Sequence, residues 1–318
     1  MKKTLLILIT GACGFIGKNL VEGLLKKKNL IIGTYYIKKD FIKNSKVKYI
    51  KINSSNFSDF NKIKSKPNVL VHLSNKILNS RMQRFGKTFD FNKNLLSMIN
   101  VLNFCKVRKV EKLIYISSST GYPRLKCKLK EINYFSKNPS VESYLIGCVS
   151  RLLEKIIFIY KRLYNLKTKI IILRPSAIYG RYDNFGSKTS RLIPYIIKKA
   201  ISNKFSIKIP GSGALVRNWV NVSEFANLIV KLIFLKKNKD INIINISSDK
   251  NYSTLDLTKK VVKIAKKNIK IIKTLSFEKK LDHRILDNNK MKKLHFTVDN
   301  RTIDYHLKKT FEWYKKKK

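Results

Sequence analysis

Thr4 to Lys28 reads TLLILITGACGFIGKNLVEGLLKKK, and no other stretch restricts the possible folds as much. Leu5 to Ile9 is a run of apolar and β-branched residues. Its length and make-up suit a strand buried on both faces of a parallel sheet. Gly11, Gly14 and Gly17 follow at GxxGxxG spacing. Phe15, Ile16, Leu20, Val21, Leu24 and Leu25 then recur with helical period. Strand, glycine turn and helix, in that order, form a phosphate cradle. Gly11 allows a sharp turn, Gly14 lets a pyrophosphate approach the backbone, and Gly17 lets the helix pack against the strand. The free N–H groups at the helix start then face the anion. Three glycines alone say little, but here they stand in the context the motif requires.

The chain has 318 residues, enough for one large α/β domain or two smaller ones. Its charge is unusual: 69 Lys+Arg against 19 Asp+Glu, formally +50. Either a polyanionic partner or a drift of the whole composition toward Lys, Asn and Ile accounts for it. The lysines run from end to end, and several form one exposed helix face, as in Lys259, Lys260, Lys263, Lys266 and Lys267. Drift is the better account, so no specific nucleic-acid partner is expected, only salt-sensitive binding to polyanions. The opening MKKTLLILIT imitates a secretion signal, but its apolar run is short, lacks a cleavage site and leads into the glycine turn. No stretch is long enough to span a bilayer, so no membrane association is expected. Cys13, Cys105, Cys127 and Cys148 show no paired spacing, which predicts neither disulfide nor metal site and a cytoplasmic location.

Strand and helix signals alternate through the first half. Strands are expected at Leu30–Tyr35, Val47–Ile52, Val69–Leu73, Lys112–Ser117 and Ile170–Leu173, the last closed by Arg174-Pro175. Helices are expected at about Phe91–Cys105 and Tyr144–Leu163. This alternation predicts an α/β chain with a Rossmann-type, doubly wound parallel sheet. Residues 1–174 would form the dinucleotide-binding domain. Residues 175–318, with a helix near Leu192–Ile201, would form mainly a smaller C-terminal substrate-binding lobe, some segments returning to the first domain.

A dinucleotide fold usually carries a carboxylate at the end of its second strand, against the ribose hydroxyls. Here Gly33-Thr34-Tyr35-Tyr36-Ile37-Lys38-Lys39 offers none before Asp40. Tyr35 takes that place, and the lysines tip the balance slightly toward NADP over NAD. Asn53, after the third strand, is either an adenine-facing group or a turn residue. Ser117-Ser118-Ser119-Thr120-Gly121-Tyr122-Pro123 ends the fifth strand, and Tyr144 starts a later helix. A strand-end hydroxyl and a helix tyrosine can meet over a nicotinamide ring and handle a proton while hydride moves.

With TGACGFIG, ISSSTGYP, RPSAIYGRYDNF, GSGALVRNWVNVSEFA and RILDNNKMKKL…FEWY in order, the chain resembles the extended short-chain dehydrogenase/reductases. It is most similar to their nucleotide-sugar epimerase/dehydratase group, over nearly its whole length. That resemblance implies site residues. Gly11, Gly14 and Gly17, with Phe15 and Ile16 between them, would hold the coenzyme, together with Tyr35, Asn53, Leu73 and Asn94. Ser118 and Tyr144 match the catalytic serine and tyrosine. Ser119, Thr120, Arg191 and Arg217 would face the substrate, Arg217 gripping its diphosphate. A homodimer through paired helices is usual in the family. His72 ends the fourth strand as in the family and reads as structural.

One departure bears on activity. The family pattern is Tyr-x-x-x-Lys, and here Cys148 stands where the lysine belongs. The lysine's charge lowers the tyrosine's pKa and its ammonium holds the nicotinamide ribose. A short, uncharged cysteine side chain does neither, so Tyr144 should be a poor proton carrier near pH 7. Arg151 and Lys155 share that face but lie one and two turns further on. Either the chain has degenerated here, or the position was altered, or another cation fills in. RPSAIYGRYDNFGSKTSRLIP looks closest to GDP-fucose synthase and related 4-keto-sugar reductases. The acid and base used there for double epimerisation correspond to Arg191 and Thr120, which leaves C4 reduction or C4 epimerisation. Ala177 replaces a common asparagine. The first reading is therefore an NAD(P)-linked enzyme acting by hydride transfer at C4 of a nucleotide-activated sugar, impaired at Cys148. A homologue that binds dinucleotide or nucleotide-sugar without efficient turnover is the alternative, and a nucleic-acid-binding protein on the same fold is a third.

Overall fold

An apolar run with no polar alternation needs apolar layers on both sides, and the first strand has them. The computed structural model describes residues 4–37, 39–75, 91–186, 190–202, 205–235, 241–274, 283–298 and 300–318. In β1 (Leu5–Thr10), Ile7 and Ile9 join one core cluster and Leu8 joins another. Between them runs a seven-stranded sheet built of β1, β2 (Asn29–Tyr35), β3 (Val47–Lys51), β4 (Val69–His72), β5 (Lys112–Ile116), β6 (Lys169–Pro175) and β10 (Ile241–Ile246). The order is β10-β6-β5-β4-β1-β2-β3, and every neighbouring pair is parallel.

α1 (Phe15–Leu25) and α5 (Val222–Phe234) cover one face, through Leu20, Val21, Leu24, Phe225, Leu228 and Ile229. α2 (Phe91–Val107) and α3 (Tyr144–Leu163) cover the other, through Met98, Val101, Leu102, Leu153 and Ile157. From β1 the chain moves outward to β2 and β3, then returns to place β4 on β1's other side. A crevice opens at that switch, at the carboxyl ends of the strands.

A separate core joins α4 (Leu192–Ile201), α6 (Thr254–Ala265) and α8 (Ile303–Lys317) around Ile196, Ile207, Leu257, Val261, Leu307 and Phe311. Its strands are β7 (Ala177–Tyr179), β9 (Val216–Asn221) and β11 (Asn251–Ser253) in one sheet, with β8 (Ser206–Pro210) paired to β12 (Lys270–Thr274). A short α7 (Asn289–Lys293) precedes α8.

The strand expected to close at Arg174-Pro175 continues through both residues. β10 runs alongside it as far as the pairing of Ile246 with Pro175, while pairing with β5 stops at Leu173. The missing N–H of Pro175 therefore leaves no gap in the β5 ladder.

One buried cation ties the sheet to a helix. Lys112 Nζ donates to the carbonyls of Leu232 (2.8 Å), Ile233 (3.0 Å) and Leu235 (2.7 Å) at the end of α5. Burial pulls its pKa down to about 8, while the helix's negative end favours the ammonium. Lys112→Met keeps the stem and strands three carbonyls. It should cost about 1–3 kcal/mol in unfolding free energy, read from the urea midpoint.

Candidate active site

The glycine turn owes its shape to backbone contact. Gly11 has φ +71°, and a Cβ there would meet Leu73 carbonyl atoms at 3.1 Å. A Cβ on Gly17 would lie 2.3 Å from Gly11 O and 2.7 Å from Ala12 O, so only glycine lets α1 start this close to the turn. Gly14 is the N-cap of α1, with no side-chain cap and no acidic residue in the first turn. The first N–H groups of α1 are thus left for an anion. Phe15 and Ile16, half-buried, pack against the core beneath.

Behind the turn, Leu73 N–H bonds Thr10 O (3.2 Å) and Thr10 Oγ1 (3.0 Å). Thr10 Oγ1 also lies 2.8 Å from His72 Nδ1. His72 is fully enclosed, and burial pushes its pKa down to about 4. It is neutral at pH 7 and serves to hold β1 to β4, in line with the structural role expected of it.

At the end of β2, Tyr35 is half-buried with its ring edge-on to Phe41 at 4.9 Å. Asp40, the first carboxylate after β2, pairs with Lys18 of α1. Lys38 lies outside the described residues. Asn53 Oδ1 accepts from Ser55 N–H (3.2 Å) and Ser55 Oγ (2.7 Å), so its amide oxygen shapes a turn. Asn94 is buried in the first turn of α2. Ser54, Ser74 and Ser97 form a hydroxyl chain with links of 3.1 and 2.8 Å that joins the ends of β3 and β4 to α2. Nothing in the sequence pattern singled these serines out.

Ser118 continues from β5 in extended conformation and caps the short turn Ser119–Gly121. Its Oγ accepts from Thr120 N–H (3.2 Å) and lies 2.8 Å from Thr120 Oγ1, so Ser118, Ser119 and Thr120 stand together. A buried network holds this strand end from below. Glu154 Oε1 accepts from Ser117 Oγ (2.5 Å) and Arg174 Nε (3.0 Å), and Glu154 Oε2 accepts from Arg174 Nη2 (2.6 Å). Tyr134 Oη donates to Ser118 O (3.0 Å), and the Arg174 guanidinium covers the Tyr134 ring at 3.6 Å. Glu154 keeps Arg174 protonated against the cost of burial.

α3 reaches this turn through Gly147, where a Cβ would lie 2.6 Å from Thr120 O. Tyr144, at the start of α3, is 44% exposed, and Cys148 one turn on is half-buried. The stripe of α3 that runs to Ser117 carries Ile146, Ser150 and Glu154, all buried. Arg151 Nε donates to Gly121 O (2.7 Å) and Nη2 to Lys137 O (2.5 Å). Lys155 Nζ lies over the Phe135 ring at 5.4 Å. Both cations on Tyr144's side of the helix are thus engaged by the serine turn and the segment around Phe135.

Arg217, half-buried on β9, pairs across a β-bridge with Arg284. Arg284 is buried, and its Nη2 donates to Ser143 Oγ (3.0 Å) and Ser140 Oγ (3.3 Å), just before Tyr144. Arg284 was not among the expected site residues, although it lies in the RILDNNKMKKL stretch. In LDHRILD, with His283 and two aspartates around it, nothing in the pattern marked this arginine out. Arg191 pairs with Asp183 at 2.7 Å and lies over the Phe15 ring at 4.7 Å, against the glycine turn.

The glycine turn and Ser118 therefore occupy one edge of one parallel sheet, on either side of the strand-order reversal. The model of the NAD dependent epimerase/dehydratase family matches residues 7–247. The chain belongs to that family. A dTDP-4-dehydro-6-deoxy-D-allose reductase from Streptomyces sp is 23% identical over 327 residues, covering 97% of this chain and 96% of that protein. A GDP-L-fucose synthase from Dictyostelium discoideum is 22% identical over 317 residues, covering 97% and 94%. The structure of UDP-glucuronic acid 4-epimerase from Bacillus cereus, in complex with UDP-glucuronic acid and NAD, superimposes with a TM-score of 0.84 at 23% identity. The match covers 99% of this chain and all of that one. The Rossmann-type sheet and the resemblance to nucleotide-sugar epimerases, dehydratases and reductases stand on these findings. Among the described residues no helix is long and apolar enough to cross a membrane, and no cluster of His, Cys, Asp or Glu could hold a metal.

His72 gives a pH test of the turn's support. Its folded pKa, about 4, lies below the usual 6.5, so the unfolded chain takes up a proton first as pH falls. Stability present above pH 6.5 should be lost progressively down to pH 4, by up to about 3 kcal/mol. Urea unfolding at pH 7 and pH 4.5 should show this loss in the wild type and a flatter profile in His72→Gln.

Proposed function

We propose that the protein binds a nicotinamide dinucleotide across the glycine turn and a nucleotide-activated 4-keto sugar above Ser118. It then acts by hydride transfer at C4 of that sugar, slowly. The observation that carries this reading is the uncapped start of α1, placed by Gly11 and Gly17 on the sheet edge that also presents Ser118. A bound reduced coenzyme would supply the hydride to C4. Ser118 Oγ, accepting from Thr120 N–H, can turn its own proton to the sugar's 4-oxygen. Arg217 would hold the substrate diphosphate, its backbone bridged to Arg284, whose guanidinium is held by Ser140 and Ser143. Arg191, against Phe15, would stand between coenzyme and substrate. Tyr144 would carry the proton, with Cys148 in place of the lysine one turn on. The engagement of Asp40 by Lys18 supports NADP over NAD, because the β2 end then keeps no carboxylate for a ribose 2′-hydroxyl. Exposed Leu96 on α2 and Leu145, Leu152 and Ile159 on α3 support a homodimer through these helices.

A second reading, binding without turnover, is favoured by one observation. Tyr144 is 44% exposed at the start of α3, with Arg151 held by Gly121 O and Lys155 by the Phe135 ring. Reduction of dTDP-, GDP- and UDP-linked 4-keto sugars with NADPH or NADH separates the two. Under the first reading the wild type turns over slowly, and Cys148→Lys raises kcat by about a hundredfold or more. Tight coenzyme binding with no turnover in either protein establishes the second.

A further inference from the structure

A cavity of about 460 Å³ opens between α1, the loop after β2 and the end of α8. Its floor is Lys18, whose side chain is 4% exposed and lies between Asp40 and the Tyr182 ring, 4.6 Å away. Lys316 and Lys317 stand at its rim, so three ammonium groups share the cavity with one carboxylate, itself 63% exposed. The walls are aromatic. Phe41 is braced against Tyr35 at 4.9 Å, and Trp313 meets Tyr182 edge-on at 5.2 Å. Trp313 is held in turn by Phe185 at 5.9 Å, and Lys317 Nζ lies over its ring at 5.4 Å.

Excess positive charge excludes a purely apolar ligand, and a bare phosphate would reach the ammonium groups without engaging the aromatic walls. A planar base on the rings with a phosphate on the lysines uses both, and base stacking on an aromatic side chain contributes about 1–3 kcal/mol. We propose that this cavity binds a nucleoside phosphate monoester. Two sources share that chemistry: a free mononucleotide, and the 2′-phosphate end of NADP, since Phe41 touches the tyrosine that ends β2. Occupancy would register in two places at once. Tyr182 Oη and Arg181 Nη2 both donate to Glu22 of α1 at 2.6 Å, so the loop after β7 and the coenzyme helix move together.

The test is calorimetric titration in 0.15 M salt with 5′-AMP, 2′,5′-ADP and inorganic phosphate. Lys316→Glu/Lys317→Glu, on the exposed end of α8, should weaken nucleotide binding by at least about tenfold. Lys259→Glu/Lys263→Glu, the same charge change on the exposed face of α6, should alter it by less than about twofold. Trp313 fluorescence in a Trp219→Phe background gives an independent readout through the wall itself. Loss confined to NADP+ and 2′,5′-ADP assigns the site to the coenzyme. Binding of 5′-AMP in the presence of saturating NADP+ assigns it to a separate mononucleotide. Equal loss in both charge variants, no loss in either, or phosphate binding as tightly as the nucleotides overturns the proposal.

Discussion

A backbone contact governs this molecule: the start of α1 lies so near the carbonyls of Gly11 and Ala12 that no side chain fits at residue 17. That contact aims the uncapped N-terminus of α1 at the crevice between β1 and β4. It also sets the position of everything α1 carries. Asn19 donates to Arg181 O at 3.1 Å and Glu22 holds Arg181 and Tyr182, so the loop leading into the second lobe is docked on the same helix. The glycine turn and the loop after β7 thus share one rigid support.

The Ser118 side of the crevice rests on a different kind of interaction. Glu154 and Arg174 are both buried, which is costly for a lone charge and tolerable for a bidentate pair. Their value lies in position: Ser117, Tyr134 and the backbone of Ser118 are fixed by that pair and its neighbours. Gly147 then lets α3 close against Thr120. On α3, Cys148 stands one turn on from Tyr144. Further along the helix Arg151 donates to Gly121 O and Lys155 lies over the Phe135 ring, so both cations are engaged in local structure.

The parallel sheet was legible because its strands are apolar runs with two buried faces, and the turn because its glycines sit three apart between strand and helix. Ser118 could be found for the same reason, as a hydroxyl cluster closing an apolar strand. Features that depend on distant partners could not. The extension of β6 through Pro175 needs β10, some seventy residues later. Glu154 looks like any helix carboxylate until Arg174 is placed beside it. Arg284 joins Arg217 only through a bridge between separate segments, and the capture of Asp40 by Lys18 needs the loop after β2 to fold back on α1. In so lysine-rich a chain, charge pattern alone could not say which cations are engaged.

The central claim is that a dinucleotide's phosphates lie on the start of α1, and coenzyme titration of one variant tests it most directly. Gly14→Asp supplies a good helix N-cap, so the fold should persist while a carboxylate occupies the anion's place. Saturable binding of NADPH or NADH by the wild type, lost in folded Gly14→Asp, is the predicted result. No binding by the wild type, or undiminished binding by the variant, would contradict the account.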